Sequence, residues 1–173
     1  MLRGERIMLA PLRDDDSRSL FGWINEREDV LLSAPYKPVH GADHAEWFDA
    51  IRSSPDTVVF GIRLVEDDRL VGSGQLHGID ARARSAELQI RIGEEDARGR
   101  GLGGEALQLL LRHGFDDLNL RRIWLRVFAT NERALRAYEA AGFVEEGRLR
   151  EAAYVDGGFV DVVVMARLRS AET

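Results

Sequence analysis

The sequence predicts one domain of the α/β (α+β) class, spanning residues 1–173, with elements in the order β-α-α-β-β-β-α-β-α-β-β. Seven segments have the patterning of strands, and four have the three-to-four-residue apolar period of helices. Turn-forming residues separate these segments, and no stretch has the composition of a linker. With 173 residues, 45% of them hydrophobic, the chain is long enough for one buried core and short for two.

The N-terminal part is predicted to contain one strand and two helices. The strand is residues 6–13, "RIMLAPLR", and "DDDSRSLFGWIN" then begins a helix with acidic residues in its first turn. Pro35 and Pro38 interrupt the next segment, which is therefore predicted as a loop. The second helix is "DHAEWFDAIRSS", in which Asp43 and Glu46 have the spacing of a capping box.

The rest of the chain supplies six more strands and two helices. Three strands come first, "TVVFGIRLV", "RLVGSGQLHGI" and "SAELQIRI". A glycine-rich loop leads into the helix "LGGEALQLLLRHGFDDL" and the strand "RRIWLRVF". The helix "NERALRAYEAAG" is predicted to be capped by Asn131 and stopped by Gly142. A long hairpin follows, turning at residues 155–158.

Composition excludes several classes of function. Because there is no cysteine, the chain can have no disulfide, no thiolate metal ligand and no cysteine nucleophile. The net charge of −6 argues against nucleic acid as the main partner, although Arg98 and Arg100 form a local basic pair. The apolar runs are too short for a membrane span or a signal peptide, so we expect a cytoplasmic protein with no membrane partner.

The most informative segment is the loop at residues 98–104. It combines two arginines with four glycines: Arg98, Gly99, Arg100, Gly101, Gly103 and Gly104. The spacing satisfies G-x-G-x-x-G, but the loop follows the fourth strand and no acid ends the next one, unlike a dinucleotide fold. Glu105 and Ala106 stand where a P-loop has its lysine and hydroxyl. Bare N–H groups at a helix start favour a pyrophosphate, and a simple strand-to-helix turn is the alternative.

A second set of residues lies on one predicted helix face. Asn131, Ala134 and Tyr138 are spaced i, i+3 and i+7, so a cap, a small residue and a phenol line one surface. Taken alone, Tyr138 fits a core aromatic residue better than a catalyst. Its combination with the glycine loop favours a catalytic role.

The two motifs together resemble those of the GCN5-related N-acetyltransferase (GNAT) family. The pattern [QR]-x-x-G-x-[GA] is matched by Arg98, Gly101 and Gly103. The pattern N-x-x-[AS]-x-x-x-Y-x-x-x-G-F is matched by Asn131, Ala134, Tyr138, Gly142 and Phe143. The C-terminal hairpin is similar to that of the branch containing ribosomal-protein N-terminal acetyltransferases and spermidine N-acetyltransferases. The resemblance extends from about Val58 to Leu168.

The resemblance implies the GNAT fold and an acetyl-CoA site without a metal. The fold would be a central, mixed but mostly antiparallel sheet of about seven strands, splayed between the fourth and fifth strands and flanked by four helices. Acetyl-CoA would enter the gap, with its pantetheine on the backbone of residues 90–92 and its pyrophosphate on residues 98–104. The residues implied to bind it are Ile90, Arg91, Ile92, Arg98, Gly99, Arg100, Gly101, Leu102, Gly103, Gly104, Asn131, Arg133, Ala134 and Tyr138.

Two residues are predicted to take part in the chemistry. Without a cysteine, direct attack of an amine on the thioester is the simplest mechanism, and the amine must first lose a proton. The resemblance implies that Tyr138 protonates the leaving thiolate and that Glu87 is a base or a substrate anchor. A backbone N–H in residues 90–92 would hold the oxyanion. Alternation places Glu87 opposite Leu88 and Ile90, so an ordinary solvated strand residue is the alternative for Glu87.

The acceptor pocket is implied to lie between the first two helices and the C-terminal hairpin. Its candidate residues are Trp23, Glu28, Tyr36, Glu87, Glu151 and Tyr154. An acidic protein favours a cationic acceptor, either a protein N-terminus or a small amine such as a polyamine. The alternative function is a non-catalytic acyl-CoA-binding sensor or scaffold. A homodimer or a higher homo-oligomer is also compatible with the sequence.

Three other features are not predicted to be functional. His40 and His44 lie four residues apart but lack the zinc-helix pattern, so we interpret them as surface histidines. Ser73 lacks the spacing of a nucleophile elbow. The acidic run at residues 14–16 is interpreted as a helix start.

Overall fold

Eight strands form one sheet in the computed structural model, which describes residues 1–170. The strands are β1 (Leu2–Arg3), β2 (Ile7–Ala10), β3 (Val58–Leu64), β4 (Leu70–Asp80), β5 (Ser85–Ile92), β6 (Arg122–Phe128), β7 (Val144–Val155) and β8 (Gly158–Leu168). Their order across the sheet is β1-β2-β3-β4-β5-β6-β8-β7. Only β5 and β6 are parallel, so the predicted mixed, mostly antiparallel sheet is confirmed. The short β1, which pairs with β2, raises the strand count from seven to eight.

Five α-helices pack around this sheet within the described part of the chain. They are α1 (Asp16–Asn25), α2 (Arg27–Val30), α3 (Gly41–Ser53), α4 (Leu102–Arg112) and α5 (Glu132–Ala140). A 3₁₀ turn (Glu95–Ala97) precedes α4, and a π-helical turn (His113–Asp117) continues it. The four predicted helices are all present, and the extra one is the short α2, in a segment that carried no helical period. Among residues 1–170, no helix is both long and apolar enough to cross a bilayer.

The strands β5 and β6 separate along their length. They pair only at the start, where Ser85 lies opposite Arg122 and Glu87 lies opposite Trp124. Beyond Glu87, β5 pairs on one side alone, with β4 from Gly72 to Leu76. The other side of β5 therefore faces a gap, and the predicted splay between the fourth and fifth predicted strands is confirmed.

Helix α4 covers one face of the sheet next to this gap. Its leucines, among them Leu107 and Leu110, are fully buried, as the predicted apolar stripe requires. The helix approaches β4 closely, because a Cβ built on Gly74 would lie 2.7 Å from Leu110 Cδ1. A Cβ on Gly93, the residue after β5, would overlap the Trp23 ring of α1 at 2.0 Å. The glycines at positions 74 and 93 therefore let α4 pack directly onto the backbone of β4 and let α1 pack directly onto the backbone that follows β5.

The cap and end of α5 and the C-terminal hairpin turn form at the residues predicted from the sequence. The Asn131 side chain accepts a hydrogen bond from Ala134 N at 3.1 Å and caps α5. Gly142 ends that helix segment with φ +85°, and Asp156 and Gly157 adopt positive φ in a two-residue hairpin turn. These three predictions from turn residues are confirmed.

At the N-terminal helices, the predicted capping box is wrong and the interpretation of residues 14–16 as a helix start is correct but incomplete. Helix α3 begins at Gly41 with His40 as its N-cap and has no side-chain cap hydrogen bond, so the capping box of Asp43 and Glu46 does not form. Asp43 lies inside the first turn instead of before it. Asp16 does more than start α1, since it is buried and forms an ion pair with the equally buried Arg63. It also accepts a hydrogen bond from Arg13 N at 2.7 Å.

Candidate active site

A cleft with a volume of about 1080 Å³ occupies the gap between β5 and β6. Its walls come from α1, α3, the sheet, α5 and the C-terminal hairpin. Six predicted site residues line it: Trp23, Glu87, Ile90, Arg91, Tyr138 and Tyr154. The splay thus brings residues from distant parts of the sequence to one opening.

The glycine loop lies beyond the outer end of β5. Gly99 and Gly101 have φ of +74° and +78°, a conformation that few side chains tolerate. Gly101 is the N-cap of α4 and makes no side-chain cap hydrogen bond, so the first-turn N–H groups have no partner within the helix. A Cβ on Gly103 would meet only Ile92 Cγ1, at 3.6 Å, and one on Gly104 would meet nothing within 4 Å. The helix start therefore presents bare N–H donors to open space, which suits a pyrophosphate.

An ion pair that sequence reasoning missed anchors this helix start. The Glu105 carboxylate accepts hydrogen bonds from Arg6 N at 2.8 Å, Ile7 N at 3.3 Å and Arg6 Nε at 3.1 Å. Arg6 Nη1 also donates to Arg100 O at 2.7 Å. Burial acts to raise the pKa of Glu105, but the hydrogen bonds from the Arg6 and Ile7 backbone and the Arg6 guanidinium outweigh it and leave the pKa lowered. The start of β2 thereby fixes the glycine loop in place.

Arg98 is turned inward and holds the loop from the other side. Its Nη1 and Nη2 donate to the Asp29 carboxylate at 2.7 and 2.5 Å. Its Nε donates to Ile92 O at 3.1 Å, and its backbone N–H donates to Glu95 O at 3.1 Å. We expect Arg98 to shape the loop, whereas the sequence suggested a direct contact with the cofactor. Arg100 is exposed, whereas Arg98 is half-buried.

Tyr138 lies on the face of α5 that is turned toward the cleft. Its ring packs edge-on against Phe143, with 5.8 Å between the ring centroids. Burial raises the pKa of the Tyr138 phenol above its ordinary value, so the protonated form is favoured. Asn131 and Ala134 share this half-buried face, while Arg133 is exposed. Leu102 is buried in the core, which leaves only its backbone for a ligand.

Glu87 is buried at the base of the splay, with 7% of its surface exposed. Arg126 donates to its carboxylate through Nε at 2.9 Å and Nη2 at 3.3 Å. His77, opposite Glu87 on β4, places Nε2 at 3.8 Å from Glu87 Oε2. The interpretation of Glu87 as a solvated strand residue is therefore wrong. Alternation identified its face of the sheet but not the residues that cover that face.

The predicted acceptor residues divide into two groups. Trp23 and Tyr154 line the cleft together with Glu87, and Trp23 Nε1 donates to Glu94 at 3.1 Å. The other three are exposed and lie outside the cleft lining: Glu28, Tyr36 and Glu151. Glu151 has φ +50° and lines a separate shallow depression on the hairpin. The structure therefore does not bring these three to the cleft.

Several lining residues were missed from the sequence. They include Arg126, His44, Trp47 and Phe128. His44 is only 5% exposed and its Nε2 lies 2.9 Å from Ser17 O, so its interpretation as a surface histidine is wrong. Its spacing of four residues from the buried Phe48 is the signal that identifies its face. Within residues 1–170, no group of three or more His, Asp or Glu side chains is placed to hold a metal ion.

Comparison with known proteins agrees with this geometry. Residues 6–144 match the acetyltransferase (GNAT) domain family. The spermidine N(1)-acetyltransferase of Vibrio cholerae serotype O1 is 39% identical over 109 residues, which are 62% of this chain and 62% of that protein, just under two thirds of its length. The probable N-acetyltransferase YjcK of Bacillus subtilis is 28% identical over 176 residues, covering 97% of both chains.

A solved structure shows the same architecture throughout. The spermidine N-acetyltransferase from Vibrio cholerae, in complex with CoA and spermine, superimposes with a TM-score of 0.87. The sequence identity is 28%, and the match covers 94% of this chain and 95% of that one. The family match over residues 6–144, together with this fold, establishes that the chain belongs to the GNAT acetyltransferase family.

Proposed function

We propose that this protein transfers the acetyl group of acetyl-CoA directly to a primary amine. One observation carries the proposal: the β5–β6 splay opens a single cleft that Glu87 and Tyr138 both line. The bare helix start of α4 lies beside the outer end of β5. A thioester donor and a group able to protonate its leaving thiolate would therefore meet in one place.

The donor half of the cleft fits the parts of acetyl-CoA. On the side facing the gap, the backbone of residues 90–92 has no strand partner, so pantetheine amides can pair with it as an added strand would. The N–H groups at the start of α4 can receive the pyrophosphate, and the exposed Arg100 adds positive charge. Both assignments use backbone groups, which is why most of the residues involved are glycines or core aliphatics.

The chemistry needs two protons removed from the acceptor nitrogen, one before and one after its attack, and one proton supplied to the leaving sulfur. The amine nitrogen, after losing a proton, attacks the thioester carbonyl carbon, and a β5 backbone N–H stabilises the oxyanion. The carbon–sulfur bond then breaks, and Tyr138 Oη donates its proton to the leaving sulfur. Glu87 would anchor the incoming ammonium or accept its first proton once the Arg126 guanidinium gives way. The nitrogen of the new amide loses its second proton to solvent, and the Tyr138 phenolate regains a proton from solvent, so one proton is released overall.

The names of the relatives support a small or terminal amine as acceptor. The Vibrio cholerae proteins are named for spermidine and one is bound to spermine, and a Bacillus subtilis relative is named a putative ribosomal N-acetyltransferase. A polyamine and a protein N-terminus are therefore both candidates for this chain. A homo-oligomer stays a prediction, and β7 is an exposed edge strand on which it could be built.

An acceptor screen tests the proposal. The protein would be incubated with acetyl-CoA and, in separate reactions, with polyamines, amino acids, aminoglycosides and N-terminal peptides, and release of the CoA thiol would be followed. Amine-dependent release with at least one class is the expected result. Tight acetyl-CoA binding without release for any class would favour the alternative of a sensor or scaffold.

A further inference from the structure

More cationic than anionic side chains line the cleft. Among the described residues they are one carboxylate, Glu87, and two guanidiniums, Arg91 and Arg126. The carboxylate accepts two hydrogen bonds from Arg126, so a cation of the protein already neutralises it. The cleft therefore offers an incoming ligand no unpaired acid.

The backbone explains why this pair crosses the splay. Glu87 lies opposite Trp124 at the last paired position of β5 and β6. Arg126 is two residues further along β6, on the same side of the strand as Trp124, and its guanidinium lies 5.9 Å from the centroid of that ring. Its side chain reaches back over the gap to Glu87. The ion pair thus lies where β5 and β6 part, the place at which the proposed function has the acceptor amine approach the thioester.

An acceptor with only positive charge is poorly matched to this pair. Its ammonium must share the Glu87 carboxylate with Arg126 or displace that guanidinium, and in either case more cations than anions meet in the cleft. A polyamine brings further ammonium groups, and the described lining contains no second carboxylate to receive them. Arg91, also on the lining, adds a second positive charge.

We infer that the acceptor is a small aminocarboxylate, in which a carboxylate lies close to the primary amine. This inference rests on the proposed acetyl transfer. The ammonium binds Glu87 and the carboxylate binds Arg126, so positive and negative groups alternate and none is left unpaired. The guanidinium fork matches a carboxylate, and the Arg126 side chain is 55% exposed, which lets it swing aside without disturbing the core. Arg126 is then the residue that determines acceptor specificity.

The test compares acceptors that differ only in the carboxylate. Phenylalanine and phenethylamine suit the cleft, because Trp47, Phe128 and Tyr154 line it, and spermidine serves as the polycation. We expect kcat/KM to be at least about tenfold higher for phenylalanine than for phenethylamine. In Arg126→Met this ratio should fall close to one, through the acceptor KM, while the KM for acetyl-CoA stays unchanged. Comparing ratios between the two proteins cancels the different basicities of the amines.

Controls separate this specificity from folding and from the reaction itself. Arg136→Met, on the exposed side of α5, should keep the wild-type ratio. Should Arg126→Met not fold, the wild-type protein still decides, because 3-phenylpropionate, which lacks the amine, should compete with the acceptor and not with acetyl-CoA. A wild-type preference for spermidine or phenethylamine, an unchanged ratio in Arg126→Met, or absence of this competition would each overturn the inference. Acetylation of no amine at all would instead refute the proposed function.

Discussion

At the scale of single residues, the account depends most on Tyr138. The phenol lines the cleft and is surrounded by apolar groups, including the edge-on ring of Phe143. Burial disfavours the phenolate, so the side chain keeps its proton before the reaction. The CoA thiolate, with an ordinary thiol pKa of about 8.5, is a weaker base than this phenolate, so the proton transfer from Tyr138 must accompany the breaking of the carbon–sulfur bond.

Removing the hydroxyl should slow turnover without weakening the donor complex. In Tyr138→Phe we expect kcat to fall on the order of tenfold to a thousandfold, with little change in acetyl-CoA affinity. Tyr36→Phe is a matched control, because Tyr36 is exposed and outside the cleft lining. The measurement is the steady-state kinetics of the wild type, Tyr138→Phe and Tyr36→Phe. Wild-type turnover in Tyr138→Phe would return Tyr138 to the role of a core aromatic.

The raised pKa of Tyr138 also predicts the alkaline pH dependence. The protonated phenol is the active form, and burial shifts its loss of the proton above the ordinary phenol value of about 10. We therefore expect kcat to decline only above about pH 10 and this decline to be absent in Tyr138→Phe. A decline below pH 9 that vanishes in the variant would contradict the assignment.

Sequence reasoning predicted the helix face of Tyr138 but not the burial of Glu87, for a physical reason. The spacing of Asn131, Ala134 and Tyr138 fixes a common face on any helix, so their grouping follows from local geometry. The burial of Glu87 depends on Arg126 and His77, which reach it from two other strands. A two-residue period identifies the face of a strand but not what covers it. His44 was misassigned for a different reason, because its four-residue spacing from the buried Phe48, which does identify its helix face, was not used.

At the scale of elements, the start of α4 is the proposed anion site. Its N–H groups face open space, and the space near Gly103 and Gly104 exists because neither carries a side chain. Gly101 adopts positive φ, so a substitution there would strain the free protein as well as block the ligand. Gly103 does not have a positive φ, so a substitution there tests the blocking of the ligand without adding backbone strain.

Replacing Gly103 should block the donor site while the fold is kept. In Gly103→Val we expect acetyl-CoA affinity to fall by at least about tenfold, because the side chain fills the space beside the N–H groups. Gly22→Val is the matched control, since a Cβ on this exposed residue of α1 also meets nothing within 4 Å. Calorimetric titration with CoA and thermal unfolding give the two readouts. Equal CoA affinity in the two variants would show that the pyrophosphate does not bind this loop.

The Glu105 anchor makes a prediction about stability. Its pKa is lowered in the fold, so the carboxylate contributes stability above its unfolded value of about 4.3, and this contribution is lost as the pH falls through the folded value. Glu105→Gln should unfold at a lower temperature than the wild type at pH 7. The difference should shrink as the pH falls below about 4.3 and through the lowered folded value, below which both side chains are neutral. A difference that does not depend on pH would show that charge is not involved.

At the scale of the whole molecule, a parallel pair inside an otherwise antiparallel sheet creates the site. The β5–β6 connection runs through α4, so both strands leave the same end of the sheet, and they part after Glu87. The family resemblance predicted this splay, and the order of elements was predicted from patterning alone. The ion pairs that hold the loop could not be predicted, because Arg6 and Glu105 are 99 residues apart. Contacts of that separation carry no local sequence signal.

The central claim is direct transfer of an acetyl group within this one cleft. It is tested most directly by measuring free CoA thiol, acetylated amine and the intact mass of the protein in the same reaction. The account predicts equal amounts of thiol and acetylated amine, with no acetylated protein when acetyl-CoA is supplied alone. Thiol release with accumulation of an acetylated protein, or acetyl-CoA binding with no acetylated amine for any acceptor, would contradict it.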